Sequence, residues 1–205
     1  MDWAALAAGR VEHVLAAAPW LSRRDRPVLL VCTNGRRDTC CALLGRPVAV
    51  ALHDEHGDDV WEVTHLGGHR FAPTSVLLPQ GWSHARVDPV TGSAVLGAAA
   101  RGRVVLDGLR GHGSLSPAEQ VADVALRREL GDTREQAVRV LGSRTAEDTT
   151  VVELGTAGGT GTAVVRRRPG ARGRPESCGK ADVPLDRWDV TLTLPPAAQP
   201  DQGAS

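Results

Sequence analysis

Two short segments carry the residues whose types and spacing can do chemistry. The first is Cys32-Thr-Asn-Gly-Arg-Arg-Asp38-Thr-Cys40-Cys41, and the second is His65-Leu66-Gly67-Gly68-His69. Thiolates and neutral imidazoles are the ligands that zinc, copper and iron–sulfur centres take. Cys₂His₂ is a familiar zinc set, and a His-x₃-His spacing suits zinc. The cysteine half suits it less, because structural zinc sites separate paired cysteines by about two to four residues, whereas eight lie between Cys32 and Cys41. A wide loop suits a two-iron cluster, whose ligands stand farther apart than those of one ion. Spacing alone leaves both metals open. Gly67 and Gly68 let the backbone turn tightly between the two histidines and bring its N–H groups close to a bound centre.

The elements around these segments must present them from one place. Pro27 to Cys32 is a short continuous apolar run, read as a buried strand. Cys41 to His53 reads as a helix with Pro47 near its first turn, Val60 to Thr64 as a second strand, and Ser75 to Leu78 as a third. If the first two strands are neighbours, both ligand loops leave the same end of the sheet. Further helices are expected over residues 2–18, Val90–Arg101 and Thr133–Leu141. Another begins at Ser116-Pro117-Ala118-Glu119, which has a cap residue, a proline at the first helical position and a glutamate at the third. Strands are expected at Thr149–Leu154, Thr162–Arg167 and Trp188–Leu194, with Arg166–Arg174 as a loop. The order points to an α/β core followed by a helix and a β-hairpin. The expected division is a core domain over 1–112, a helical and hairpin region over 113–194, and a disordered tail over 195–205.

Composition narrows the partners. Lys+Arg and Asp+Glu both number 24 in 205 residues, so no net charge draws the chain to nucleic acid or to an anionic membrane. No apolar run reaches the roughly 18 residues of a membrane span. The N-terminus lacks a basic segment followed by a clean hydrophobic stretch, so no signal peptide is read. The expected location is the cytoplasm, where four cysteines serve metal or redox chemistry more readily than structural disulfides. With one Phe, five Trp and no Tyr, the core must be built from Val, Leu and Ala.

The runs VCTNGRRDTCCALLGRPVA, VWEVTHLGGHRFAPTSVLLPQG and ARVDP resemble the sucrase/ferredoxin-like family, and the likeness continues through RGRVVLDGLRG, LSPAEQVADVALRRELG and the late SCGK and RWDV segments. The resemblance implies an α/β fold with a thioredoxin-like ferredoxin core and a small C-terminal helix-plus-β-hairpin appendage. It also implies a [2Fe–2S] cluster held by Cys32, Cys41, His65 and His69. In the family Arg37-Asp38 precedes the second ligand by a constant offset, which selects Cys41 over Cys40. Fuller family members carry a further N-terminal portion, and the contacts it makes are expected to be missing here.

The implied function is electron transfer, with a redox protein or a small molecule as donor and acceptor and no sucrase activity. A glycosidase needs two placed carboxylates, and no such pair stands out. Two imidazoles in place of two thiolates raise the expected potential above the roughly −400 mV of plant-type ferredoxins, toward the range of about −150 to +300 mV of Rieske centres. The second ring nitrogens can couple electron uptake to a proton. The competing readings are a zinc-stabilised binding module without redox activity and a thiol oxidoreductase using Cys40 or Cys41. The second is weakened by the absence of Cys-x-x-Cys. Cys178 is expected against the core or near the cluster, and His84 on the surface.

Overall fold

The computed structural model describes residues 24–36, 38–170, 173–175 and 177–194. The helix expected over 2–18 and the tail from 195 lie outside the described residues.

Strand β1 (Val28–Cys32) runs parallel to β2 (Val60–Val63) and antiparallel to β3 (Thr74–Leu78). Antiparallel pairing continues to β4 (Trp82–Ala85) and β5 (Leu109–His112), giving the order β2-β1-β3-β4-β5. Helix α1 (Arg46–His56) links the two parallel strands and α2 (Pro89–Ala99) follows β4. A β-α-β unit joined to a β-β-α unit in this order is the thioredoxin-like arrangement, with one antiparallel strand added. Leu29, Val31 and Leu77 from the sheet meet Val48 and Leu52 of α1 and Val95 and Leu96 of α2 in one aliphatic core. The two helices approach closely at Gly92, where a Cβ would lie 2.5 Å from a methyl of Leu52.

The C-terminal part is a four-stranded antiparallel sheet in the order β11-β8-β7-β6, built from β6 (Arg139–Ala146), β7 (Thr149–Thr156), β8 (Gly159–Arg168) and β11 (Arg187–Thr193). Helix α3 (Pro117–Leu130) lays Ala118, Ala122 and Leu126 against Val152, Leu154, Ala163 and Val165. Its start is the expected one: the Ser116 hydroxyl accepts from the Glu119 N–H while the Glu119 carboxylate accepts from the Ser116 N–H. A short ribbon of β9 (Gly173–Pro175) and β10 (Asp182–Pro184) projects between β8 and β11.

Four expectations are corrected. The segment from Thr133 to Leu141 is not a helix. It is a single 3₁₀ turn, Glu135–Ala137, followed by β6. The carbonyls of Arg134, Glu135 and Val138, which a helix would use, accept instead from the Arg127 guanidinium at 2.8, 2.9 and 3.2 Å. The expected loop over Arg166–Arg174 is partly strand, because β8 runs to Arg168 and β9 begins at Gly173. Helix α1 is preceded by a π-helical turn, Cys41–Gly45, and runs on to His56.

His84 is the fourth. It is 1% exposed, with Nε2 3.1 Å from the Val105 carbonyl and Nδ1 without a hydrogen-bond partner among the described residues. Burial pushes its pKa below the ordinary 6.5, against the smaller upward pulls of the Val105 carbonyl and Asp107. The folded state therefore binds this proton less readily than the unfolded chain, and stability falls as pH drops below about 6.5. The expected result is a lower urea midpoint at pH 5.5 than at pH 7.5, and a smaller difference in His84→Gln. An unchanged pH difference in that variant would assign the loss to other groups.

Candidate functional site

Strands β1 and β2 are parallel, so the loops after them leave the same end of the sheet. The first loop begins where the Thr33 N–H donates to the Val63 carbonyl, extending the β1–β2 ladder by one residue. Asn34 turns the chain, its side-chain oxygen accepting from the Arg36 N–H, and the Cys41 N–H then donates to the Asp38 carbonyl. The π-helical turn that follows carries Cys41 and is pressed against the end of β1 at Gly45. In the second loop Gly67 and Gly68 have φ of 76° and 68°, and Gly68 leads into the 3₁₀ turn His69–Phe71. These left-handed angles are what a tight bend between two histidines requires.

Cys32, Cys41 and His69 are buried and His65 is exposed. The Cys41 Sγ lies 3.6 Å from His69 Nδ1, and the His65 and His69 rings stand 4.9 Å apart, centroid to centroid. Cys32 Sγ lies 4.0 Å from the Thr64 carbonyl oxygen, beside the second loop. Burial pushes the Cys41 thiol well up, and the Cys32 thiol next to it pushes the same way. The four residues thus meet in sequence of contact, Cys32 to Cys41, Cys41 to His69, His69 to His65.

Three further groups join them. Asp38 is fully buried. Its Oδ2 lies 2.8 Å from His69 Nδ1, while its Oδ1 accepts from the Ser177 hydroxyl at 2.5 Å and from the Cys178 N–H at 2.7 Å. One carboxylate therefore links the first loop, the second loop and the turn between β9 and β10. Short bonds of this kind are charge-assisted. Cys40 and Cys178 are neighbours, Sγ to Sγ 3.6 Å, and both are free thiols. The donor atoms of Asp38, Cys40 and Cys178 all lie within 4.8 Å of one another, a group able to hold a metal ion.

Sequence reasoning used Asp38 only to set register and assigned Ser177 no role. A buried carboxylate in a polar loop looks like any turn aspartate until its distant partners are known. An open hollow of about 500 Å³, lined in part by Asn34, Arg36, Ala42 and Glu62, borders the first loop on its outer side. Among the described residues no helix is long and apolar enough to cross a membrane.

A thioredoxin-like α/β protein with thiol, imidazole and carboxylate groups gathered at one end of its sheet is the class these features define. The chain belongs to the sucrase/ferredoxin-like family, whose model matches residues 6–111, just over half of the 205. No curated protein and no solved structure matches it at a significant level.

Proposed function

We propose that the chain is an electron carrier that holds a [2Fe–2S] cluster through Cys32, Cys41, His65 and His69. The observation that carries the reading is the approach of Cys41 Sγ to His69 Nδ1, 3.6 Å across two loops. For tetrahedral coordination with metal–sulfur about 2.3 Å and metal–nitrogen about 2.1 Å, two donors on one ion stand about 3.6 Å apart. The donor set is also chemically apt. Without a cation, burial and the neighbouring Cys32 oppose ionisation of Cys41; a bound metal reverses this by deprotonating its thiol ligands outright.

A cluster bound there takes up and releases single electrons. The chain's own residues set the conditions. Asp38 Oδ2 lies against the same His69 Nδ1 that approaches Cys41, so a metal taken by Nδ1 would displace that contact and leave Asp38 held by Ser177 and Cys178. Cys32, Cys41 and His69 exclude water from the inner side. The exposed His65 leaves a ring edge open to solvent, where a proton can be held and where an electron partner, a redox protein or a small molecule, can approach. Cytoplasmic residence is part of the same reading.

The 3.6 Å separation suits a single tetrahedral ion equally well, so zinc in a binding module is the second reading. The experiment that separates them is visible absorption and electron paramagnetic resonance on protein purified without air, before and after dithionite. The expected result is brown protein that gives a rhombic signal of low average g on reduction, with the colour lost in Cys41→Ser. In His69→Cys the potential is expected to fall toward the plant-type value of about −400 mV. Colourless protein with one zinc per chain would remove the electron-transfer reading.

A further inference from the structure

The proposed cluster ligands leave two of the four cysteines unused, and the fold brings those two together. Cys40 sits in the first loop and Cys178 in the β9–β10 turn, 138 residues away, with sulfurs 3.6 Å apart. Their proximity does not depend on the sulfurs themselves. The Cys178 N–H and the neighbouring Ser177 hydroxyl both donate to Asp38, two residues before Cys40, so both main chains are held in place by a buried carboxylate. Such fixed neighbours react as an intramolecular pair.

From this geometry we propose that Cys40 and Cys178 form a second redox site, a reversible dithiol/disulfide pair oxidised by low-molecular-weight disulfides. Cys178 is exposed and Cys40 half-buried, which assigns the roles. The Cys178 thiolate attacks one sulfur of the small disulfide, a sulfur–sulfur bond forms, and the first small thiolate leaves and takes a proton. The Cys40 thiolate then attacks the Cys178 sulfur, the protein disulfide forms, and the second small thiol is released. Two electrons and two protons pass from the protein to the small disulfide, giving two small thiols. A metal at Asp38, Cys40 and Cys178 is disfavoured by the same contacts. Asp38 already accepts from Ser177 and Cys178 and faces His69, leaving two thiols, fewer than the four ligands of a structural zinc site. The disulfide fastens the β9–β10 turn to the loop that carries Cys41, so its formation bears on the site without using its ligands.

The test uses the full chain as purified without air, equilibrated at pH 7 in glutathione buffers of rising disulfide content. After acid quenching, free thiols are alkylated and the cross-linked peptides mapped by mass spectrometry, a readout that does not depend on iron content. The expected product is a Cys40–Cys178 cross-link, formed in most chains at the oxidising end and reversed by dithiothreitol. It persists in Cys41→Ser and falls at least tenfold in Cys40→Ser and in Cys178→Ser, the latter leaving Cys40 without its partner. Glutathione attached to Cys178 with Cys40 still free would overturn the proposal. So would a cross-link that survives Cys40→Ser, or stoichiometric zinc protecting both thiols.

Discussion

Gly45→Ala is expected to cost about 3 kcal/mol of stability, at the upper end of ordinary overpacking, and to lower the metal affinity of the site by about tenfold or more. A Cβ at Gly45 would lie 2.2 Å from the carbonyl oxygen of Cys32 and 3.3 Å from its carbonyl carbon. Both are backbone atoms at the end of β1, so nothing can swing aside. The turn must move off the strand by roughly 1 Å to restore an ordinary contact. Gly45 closes the π-helical turn that opens with Cys41, so this displacement falls between the two cysteines, and the 3.6 Å approach of Cys41 to His69 cannot be kept as it is. Urea midpoints and metal per chain, measured on the same preparations, check both parts. Gly97→Ala in α2 is the control. There the nearest atoms to a new Cβ are the Arg101 guanidinium nitrogens at 3.6 and 3.9 Å, and helix propensity predicts a gain of about 0.5–1 kcal/mol. Unchanged metal content in Gly45→Ala would mean that the packing of the turn on β1 does not set the cysteine geometry.

The same glycine shows where a reading of the sequence stops. The loops that carry the cysteines and the histidines were legible because each follows a strand-like run too short for a helix, and parallel neighbours must present both loops at one end. The histidine bend was legible from its glycine pair. What spacing could not convey is that Cys41 lies on a π-helical turn rather than on a regular helix, because that depends on how closely Gly45 approaches a strand thirteen or more positions back. Asp38 is the larger omission. Its partners Ser177 and Cys178 come from a stretch between the expected Arg166–Arg174 loop and the strand at Trp188, to which local periodicity assigns no element. Only the folded ribbon brings them back to the first loop. Cys178 carried a hint in its type, but nothing in its neighbourhood pointed to Cys40.

His84 misled for a related reason. A histidine flanked by Ser83 and Ala85 in a short polar run resembles a surface turn, and β4 contains only four residues. Pairing on both sides, with Ser75 of β3 and Leu109 of β5, makes it an interior strand, and alternation turns Trp82 and His84 together to its buried face. The strand was hidden because its neighbours, not an apolar alternation of its own, define it.

Arg127→Met is expected to be the most destabilising single change outside the site, by about 3–5 kcal/mol, the range for breaking a buried ion pair from one side. Arg127 is 1% exposed inside α3, paired with Asp123 one turn earlier, which is 2% exposed. Its guanidinium also fills the carbonyls of Arg134, Glu135 and Val138 and stands 4.9 Å over the Trp82 ring. One side chain therefore stops a helix from forming after Gly131, directs β6 into the second sheet, and fastens that sheet to β4 of the first. Methionine fills similar volume but takes the guanidinium from three carbonyls, of which that of Val138 is on a buried residue and that of Arg134 still accepts from the Ala137 N–H, and leaves the buried Asp123 carboxylate without its ion-pair partner. Burial already pushes the Asp123 carboxyl above the ordinary range, with Arg127 pulling it down. Without Arg127 that upward shift grows. A carboxyl whose folded pKa exceeds its unfolded value of 3.8 loses stability as pH rises between the two. The deficit of Arg127→Met relative to the parent should therefore be smaller at pH 4 than at pH 7, by urea midpoints at each pH. Adding Asp123→Leu should restore only part of it, because the carboxylate is removed while the guanidinium bonds to the three carbonyls stay lost. Full restoration by the double variant would place the whole effect in the ion pair and none in the turn that Arg127 holds.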